Sequence, residues 1–326
     1  MTHDVICLRP QADFERVGEP APASLSVVYR NPNDPDLPQL LKTASALLIP
    51  AVGPKLPTDL FVDTSVKFVQ ITGAGLDRLD RPTLQGRGIV VANVPGGSSK
   101  AVAEYAVTCA SLLLRRLAWA DFEIQAGNYG VFRSRMLAEN LSGLENLLVG
   151  VIGFGVIGLA VAELFHKIGC RISFYDPFPV ANSAAQALGA TSMSLDELLQ
   201  TADIVTLHVP LTPATEGLLG ERELAKMKPG SILIQAARGG VVDELALAKH
   251  LQSGNIGGAA VDVYSSEPPT PDNPLLALSG EARQRLLLTP HIAGVTRQSA
   301  AVLFRSAWQN LERVLIQKEA PLNRAY

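Results

Sequence analysis

The 326-residue chain has few cysteines, few aromatic residues and no apolar run long enough for a confident membrane span. Its three cysteines, Cys7, Cys109 and Cys170, are too few and too widely spaced for a disulfide framework or a zinc site. We expect no metal, and reduced thiols in a reducing compartment. The first 20 residues lack a basic start followed by an apolar run, so we also expect no signal peptide and a cytoplasmic location.

Charge of either sign is also sparse. Charged residues make up 18% of the chain, the net charge is −3, and no block of like charge occurs. Because nucleic acids and anionic membranes attract clustered positive charge, we expect neither as a partner. The 47% of apolar residues is typical of a globular protein, and the length suffices for two domains with ordinary cores.

One uncharged stretch, LLVGVIGFGVIGLAVA at residues 147–162, contains four glycines. Its sixteen residues are fewer than a membrane-spanning helix needs, and its flanks are Glu145 and Glu163 rather than basic anchors. We interpret it as a strand, a turn and the start of a helix. The turn GFGVIG has the G-x-G-x-x-G spacing of a dinucleotide-binding fingerprint.

Each glycine of this fingerprint has a physical role. Gly153 permits the tight turn, Gly155 lets a pyrophosphate approach the backbone, and Gly158 lets the helix pack on the sheet. The next predicted strand ends at Asp176, eighteen residues after Gly158, near the position of the acid that binds the ribose hydroxyls. No arginine follows closely to bind a 2′-phosphate, which favours NAD over NADP. The alternative is a structural glycine turn in another kind of α/β protein.

Apolar runs rich in β-branched residues alternate with helical patterns, which predicts an α/β fold. Most runs are continuously apolar, so we expect parallel strands covered on both faces in a doubly wound sheet. Residues 100–127 have the periodicity of one long helix, and residues 297–319 that of an amphipathic helix that could return the chain to the first domain. The predicted strands are 4–8, 25–29, 45–49, 66–71, 88–94, 146–152, 171–176, 203–209, 231–237, 257–263 and 285–290.

Polar residues follow three of the later strands, where parallel sheets bind their ligands: Arg238, Glu267 and His291. Reduction of a 2-keto acid needs a cation for the carboxylate, an acid for the carbonyl oxygen and a group that holds this acid in place. Arginine offers a bidentate fork, histidine titrates near neutrality, and a neighbouring carboxylate fixes its tautomer. Taken singly, each residue could instead be a surface ion-pair partner, a loop acid or a structural histidine.

Seven motifs, in their order and spacing, resemble those of the D-isomer-specific 2-hydroxyacid dehydrogenase family over nearly the whole chain. They are GAGLDRLD (73–80), NVPGGSSKAVAEYAV (93–107), VIGFGVIG (151–158), HVPLTPATEGLL (208–219), MKPGSILIQAARGGVVDELAL (227–247), GAAVDVYSSEPP (258–269) and TPHIAGVT (289–296).

The resemblance implies a role for each site residue. Arg238 would bind the substrate carboxylate, His291 would donate the proton in reduction, and Glu267 would pair with His291. The loop at Ala74 and Gly75 would offer backbone N–H groups to the substrate. The implied cofactor contacts are Gly153, Gly155, Val156, Ile157, Gly158, Asp176, His208, Val209, Pro210, Thr215, Ala236, Gly294 and Asp262, the last on the nicotinamide carboxamide.

The family fold consists of two Rossmann-like domains. Residues 1–99 and 297–326 would form a smaller, flavodoxin-like and discontinuous substrate domain, and residues 100–296 the NAD-binding domain. Family members are usually homodimers, with the helix after residue 100 and the segment 120–145 at the interface. The implied function is NAD-dependent interconversion of a small 2-keto acid and its D-2-hydroxy acid.

Two other functions remain open. One is an NADPH-preferring glyoxylate/hydroxypyruvate reductase, against which Asp176 argues. The other is an NAD-sensing binding protein similar to the transcriptional co-repressors of the family, although the sequence contains no basic cluster of the nuclear-localisation kind.

Two departures from the family pattern bear on the ligands. Val156 stands where many relatives carry an arginine, so one charged contact to the cofactor phosphates is missing. Pro50 and Ala51 stand where phosphoglycerate-type relatives place a phosphate-binding arginine, which indicates a substrate without a phosphate group.

Overall fold

The structure is a computed structural model that describes residues 4–178 and 182–326. It divides into two compact units. The first unit is Met1–Ser98 with Val295–Tyr326, and the second unit is Ser99–Gly294. The sequence analysis assigned substrate binding to one part of the chain and NAD binding to the other. This assignment of function stays a prediction.

The first unit contains a parallel sheet of five strands in the order β2-β1-β3-β4-β5. This is the flavodoxin-like order expected from the resemblance. The strands are β1 (Val5–Cys7), β2 (Val27–Tyr29), β3 (Ala46–Ile49), β4 (Phe68–Ile71) and β5 (Val90–Ala92). The helices before residue 98 are α1 (Gln11–Arg16), α2 (Leu37–Leu41), α3 (Arg81–Gly86) and a 3-10 helix at Thr58–Phe61.

The C-terminal helix belongs to the first unit, so the chain does return to it. It spans Arg297–Leu315, four residues shorter than predicted, and begins at Thr296, whose side chain accepts a hydrogen bond from the N–H of Ser299. The helix packs two aromatic side chains, Phe304 and Trp308, on Phe14, with ring centroids 4.5 and 4.9 Å apart respectively. This buried aromatic contact holds the two ends of the chain in one core.

The second unit contains a parallel sheet of seven strands in the order β12-β11-β10-β9-β6-β7-β8. The strands are β6 (Leu148–Ile152), β7 (Arg171–Tyr175), β8 (Thr191–Ser192), β9 (Ile204–Leu207), β10 (Ile232–Gln235), β11 (Gly258–Val261) and β12 (Leu286–Leu288). The helices are α4 (Ser99–Leu114), α5 (Leu117–Gln125), α6 (Tyr129–Ala138), α7 (Val156–Lys167), α8 (Asn182–Ala187), α9 (Leu195–Thr201), α10 (Glu221–Ala225), α11 (Glu244–Ser253) and α12 (Gly280–Gln284); the helix Arg297–Leu315 is α13.

Strands β9, β10 and β11 are buried at every residue, as continuous apolar runs require in a sheet covered on both faces. The strand order reverses between β6 and β9, which is the doubly wound pattern. The predicted α/β fold with parallel, Rossmann-like sheets is therefore confirmed. Among the described residues, no helix combines the length and the apolar character needed to cross a bilayer.

The prediction of one continuous helix over residues 100–127 is wrong. The structure breaks this stretch at Arg116, whose φ of 53° is left-handed, so α4 ends at Leu114 and α5 begins at Leu117. The Arg116 side chain turns inward and donates a hydrogen bond from Nη1 to the Gly257 carbonyl oxygen at 2.7 Å. The sequence at the break, LLRRLA at residues 113–118, contains no glycine or proline, so sequence pattern alone does not reveal it.

Candidate active site

The glycine turn joins β6 to α7, and two of its glycines are required by the packing of the protein itself. Gly153 has a φ of 89°, and a Cβ atom there would lie 2.7 Å from the carbonyl oxygen of His208. A Cβ atom on Gly158 would lie 2.0 Å from the carbonyl oxygen of Gly153. Any side chain at either position would force the backbone apart.

Gly155 is different. Its φ of −75° suits any residue, and no atom lies within 4 Å of the position of a Cβ atom, so the fold does not need glycine here. Gly155 is the N-cap of α7, and no side chain caps this helix. The free N–H groups and positive dipole end of an uncapped helix favour an anion, and the open space at Gly155 lets one approach.

Asp176 follows β7 beside this turn. Its Oδ2 accepts a hydrogen bond from the N–H of Phe154 at 2.8 Å, and its Oδ1 accepts one from the N–H of Phe178 at 3.0 Å. The two bonds fix the carboxylate, and each oxygen retains acceptor capacity for a ribose hydroxyl. The Val156 side chain is 63% exposed and places no charge near the first turn of α7.

His208 follows β9, and its carbonyl oxygen packs against Gly153. Burial lowers the pKa of His208 to about 3, so the ring is neutral at ordinary pH. Nε2 lies 2.8 Å from Thr206 Oγ1, while Nδ1 is buried and has no hydrogen-bond partner among the described residues. A buried polar atom without a partner is costly, and a polar group of a bound cofactor would satisfy it. The uncapped helix, Asp176 and this nitrogen fit a dinucleotide.

Of the remaining predicted cofactor contacts, Ile157 lies in the first turn of α7, and the others lie in loops after strands of the same sheet. Thr215 closes one loop by donating from Oγ1 to the carbonyl oxygen of Pro210 at 2.6 Å, and Val209 packs against Gly153. Contact of these residues with the cofactor stays a prediction, as it does for Ile157, Ala236 and Gly294.

The three polar residues predicted to act on the substrate follow three neighbouring strands. Strands β10, β11 and β12 lie side by side, and Arg238, Glu267 and His291 follow them in that order. The sheet thus brings together residues that are 53 positions apart in the chain, from 238 to 291.

His291 and Glu267 form a hydrogen-bonded pair, with Nδ1 of the histidine 2.8 Å from Oε2 of the carboxylate. The other carboxylate oxygen accepts a hydrogen bond from the N–H of Tyr264 at 3.1 Å, which orients Glu267. Since Nδ1 is engaged, Nε2 is the nitrogen left to exchange a proton with a ligand. His291 has a φ of 55°, a strained value for a residue with a side chain, of a kind often found at functional sites.

The Arg238 loop is pressed against the loop that carries Glu267. A Cβ atom on Gly239 would lie 1.7 Å from the carbonyl oxygen of Tyr264, so only glycine permits this approach of two backbones. Buried Gln235 shapes the same loop by donating from Nε2 to the carbonyl oxygen of Arg238 at 2.9 Å. Gly239 and Gln235 were not singled out from the sequence, although a glycine directly after a candidate arginine was a usable signal.

Asp262 is 1% exposed and holds the loop that carries His291. Its Oδ1 accepts from Thr289 Oγ1 at 2.6 Å and from the N–H of Ile292 at 2.8 Å, while Oδ2 accepts from the N–H of Ala293 at 2.8 Å. Its predicted contact with the nicotinamide carboxamide stays a prediction. The role of Asp262 in fixing the His291 loop was not foreseen, because it depends on hydrogen bonds to backbone atoms about 30 residues away.

The loop at Ala74 and Gly75 lies in the first unit, after β4. Asn93 steadies it by donating from Nδ2 to the Ala74 carbonyl oxygen at 2.7 Å. Within residues 4–178 and 182–326, the N–H groups of Ala74 and Gly75 donate no hydrogen bond, so they are available to an anion. Ala51 packs on this loop, since a Cβ atom on Gly73 would lie 2.6 Å from the Cβ atom of Ala51.

Comparison with known families decides what this arrangement is. A family model described as the NAD binding domain of D-isomer specific 2-hydroxyacid dehydrogenases matches residues 107–293. The chain belongs to this family. The resemblance identified from the motifs is confirmed, and so is NAD as the cofactor of the matched domain.

Curated relatives of the chain include D-3-phosphoglycerate dehydrogenases. The D-3-phosphoglycerate dehydrogenase of Archaeoglobus fulgidus is 38% identical over 235 residues, which are 72% of this chain and 42% of that protein. The D-3-phosphoglycerate dehydrogenase of Bacillus subtilis is 33% identical over 84% of this chain and 50% of its own length. The chain therefore spans half or less of the length of these curated relatives.

Solved structures match over nearly the full chain. The pyruvate reductase of Chlamydomonas reinhardtii has a TM-score of 0.78 and 29% identity, and covers 99% of this chain and 98% of its own. The D-mandelate dehydrogenase of Rhodotorula graminis has a TM-score of 0.83 and 25% identity, with 100% and 98% covered. These solved structures share the fold of this chain but are named for different substrates, so the fold does not specify the substrate.

Proposed function

We propose that the protein is an NAD-dependent oxidoreductase that interconverts a small 2-keto acid and its D-2-hydroxy acid. The observation that carries the proposal is the His291–Glu267 pair, 2.8 Å apart, at a sheet edge that also presents Arg238. An acid–base histidine beside an arginine is the arrangement that reduction of a keto acid requires.

Each side chain has one role in this proposal. Bound NADH supplies the hydride for the carbonyl carbon. His291 holds the proton for the carbonyl oxygen at Nε2, since Nδ1 is engaged with Glu267. Glu267 stabilises the imidazolium before the proton is given up and keeps the ring oriented. Arg238 binds the substrate carboxylate. Contact of the Ala74 and Gly75 N–H groups with the substrate stays a prediction. In the oxidation direction, neutral His291 takes the proton from the hydroxyl group.

We propose a substrate without a phosphate group, because Pro50 and Ala51 stand where phosphoglycerate-type relatives place a phosphate-binding arginine. A second candidate substrate is D-3-phosphoglycerate, favoured by the names of the curated relatives. Removing a cation from a phosphate site loses one or more charge-assisted hydrogen bonds, each worth about 1.5–3 kcal/mol, so the two substrates should differ clearly in kcat/KM.

The deciding experiment measures NADH consumption with a panel of 2-keto acids that includes glyoxylate, hydroxypyruvate and pyruvate, and NADH formation with D-mandelate and D-3-phosphoglycerate. We expect turnover with one of the unphosphorylated acids and loss of it in His291→Asn. The matched control is His166→Asn, because His166 is an exposed histidine in the last turn of α7. Preference for D-3-phosphoglycerate would overturn the substrate proposal, and turnover retained in His291→Asn would overturn the acid assignment.

NADH and NADPH are compared in the same assay. We expect NADH to be preferred, because Asp176 would repel a 2′-phosphate. A preference for NADPH would instead support the alternative reductase. Absence of turnover with every acid, together with a stoichiometric protein partner, would support the NAD-sensing binding protein.

We also propose a homodimer formed through α5 and α6. These helices expose a group of large apolar side chains, at fractions from 47% to 79%, which is more than scattered surface residues explain. They are Leu117, Phe122, Ile124, Tyr129, Val131 and Leu137. Light scattering after size-exclusion chromatography should give twice the chain mass, and Val131→Asp should reduce it toward one chain. An unchanged wild-type mass of 34.7 kDa would reject the dimer.

A cytoplasmic location also remains a proposal. It is supported by Cys7, Cys109 and Cys170, which are all buried free thiols. Cell fractionation would test it, and recovery of the protein outside the cytoplasm would reject it.

A further inference from the structure

Tyr105 lies on α4, far in sequence from the candidate active site, and its hydroxyl reaches Thr289 Oγ1 at 2.8 Å. Thr289 Oγ1 in turn lies 2.6 Å from Asp262 Oδ1. Asp262 accepts the N–H groups of Ile292 and Ala293, the two residues that follow His291. A continuous chain of hydrogen bonds thus runs from the long helix to the loop that carries the proton donor.

The chemistry of the groups sets the direction of this chain. A carboxylate only accepts hydrogen bonds, so the single hydroxyl hydrogen of Thr289 must point to Asp262. Thr289 can then only accept from Tyr105, which makes Tyr105 the donor at the outer end. Burial raises the pKa of Tyr105 above its usual range, so the phenol keeps the proton that this role requires.

We propose that Tyr105 is a positioning residue for His291, acting through Thr289 and Asp262. The donor at Thr289 Oγ1 polarises the short bond from Thr289 to Asp262 and holds the carboxylate facing the N–H groups of Ile292 and Ala293. These two bonds, together with the bond from the His291 N–H to the Asp262 carbonyl oxygen at 2.8 Å, hold His291 in its left-handed conformation. The expected effect of Tyr105 on kcat rests on the proposed function, whereas its expected effect on the stability of the His291 loop does not.

The test uses Tyr105→Phe, which removes only the hydroxyl group. Loss of one neutral hydrogen bond should speed hydrogen exchange at the amides of Ile292 and Ala293 by about 2–10-fold. The internal reference is the amide of Leu219, which donates to the Val241 carbonyl oxygen at 3.1 Å and should not change. The matched control is Tyr29→Phe, because Tyr29 lies on β2 and packs against a core of the first unit, so the substitution should leave all three amides unchanged.

A double-mutant cycle shows whether Tyr105 acts through Thr289. In a Thr289→Val background, which has no hydroxyl to accept from the phenol, Tyr105→Phe should have no further effect. Thr289→Ser restores the hydroxyl and should restore the effect of Tyr105→Phe, which keeps the cycle interpretable if the valine variant folds poorly. If Tyr105→Phe has the same effect in the Thr289→Val background as in the wild-type protein, the proposal is overturned.

The kinetic readout is kcat for the keto acid that the panel identifies. Tyr105→Phe should lower kcat by about 2–10-fold while the KM for the keto acid stays within twofold, since the proposed carboxylate ligand is Arg238 and not the loosened loop. If the wild-type protein reduces no 2-keto acid, the proposed function fails, but the exchange rates still decide the role of Tyr105. Unchanged exchange at Ile292 and Ala293 would overturn that role whatever the activity.

Discussion

The two ends of the seven-stranded sheet in the second unit prepare for their ligands in opposite ways. Around β6 and β7, the site is defined by open space and free donors: no atom lies within 4 Å of a Cβ position at Gly155, and no side chain caps α7. Around β10, β11 and β12, it is made by adding groups, with Glu267 and Asp262 holding His291 and its loop through paired hydrogen bonds.

Other helices of the same chain sharpen this contrast. The side chains of Ser194 and Asp243 cap α9 and α11, and Thr296 caps α13. α7 begins at Gly155 and lacks a side-chain cap, and so does α10, which begins at Gly220. A Cβ atom at Gly220 would lie 3.5 Å from Glu223 Oε2, whereas the space at Gly155 is open, so open space together with the missing cap distinguishes α7. The two ends therefore differ in that backbone donors are left free at the start of α7 and are engaged to fix the loop of His291.

The largest effect is expected at His291, which Glu267 and Asp262 hold in place. His291→Asn should lower kcat by about 10²–10⁴-fold, the usual worth of a positioned acid–base group. Asparagine is chosen because it tolerates a positive φ, so the loop is not strained further. Steady-state kinetics measure the loss, and a kcat within a few-fold of wild type would show that the end around β12 does not hold the proton donor.

Arg238→Lys should have the next largest effect. A lysine cannot reproduce the bidentate fork, and one lost charge-assisted hydrogen bond of about 1.5–3 kcal/mol lowers kcat/KM by about 10–100-fold. The affinity for NADH, measured by fluorescence titration, should not change. An unchanged kcat/KM would place the carboxylate site elsewhere in the protein.

The cofactor end is tested by adding a single methyl group. Gly155→Ala fits the free protein, so the melting temperature should fall little, while the Kd for NADH should rise by about tenfold, or 1.4 kcal/mol. The matched control is Gly158→Ala, whose Cβ atom would meet the Gly153 carbonyl oxygen at 2.0 Å and should lower the melting temperature itself. Equal melting temperatures for the two variants would contradict the distinction between these glycines.

The smallest effect is expected from adding an arginine side chain at position 156, at the start of α7. Val156→Arg places a cation on an exposed position in the first turn of α7 and should lower the Kd for NADH by about 2–5-fold, as an exposed ion pair of 0.2–1 kcal/mol allows. The gain should shrink at high salt because such pairs are screened. A gain that is independent of salt would mean that the arginine acts by packing rather than by charge.

Sequence reasoning succeeded where a feature depends on neighbouring residues. The glycine turn and eleven of the twelve strands in the described residues were predicted because their signals lie within a few residues or repeat with a fixed period, whereas the two-residue β8 was missed. It failed at Arg116, where a left-handed residue splits a periodic stretch into two helices. It also missed Thr289 and Tyr105, since neither a threonine after a strand nor a tyrosine on a helix carries a local signal of function.

The sequence by itself determined the α/β class, the cofactor turn and the identity of the three polar residues at strand ends. These follow from apolar periodicity and from glycine spacing, which are properties of contiguous residues. Only the tertiary structure decided that Nδ1 of His291 meets Glu267, that Gly239 lets two loops touch, and that Asp262 links Thr289 to the His291 loop. Such contacts join residues that the parallel sheet brings to one edge, and their distances depend on strand order and register rather than on any local pattern.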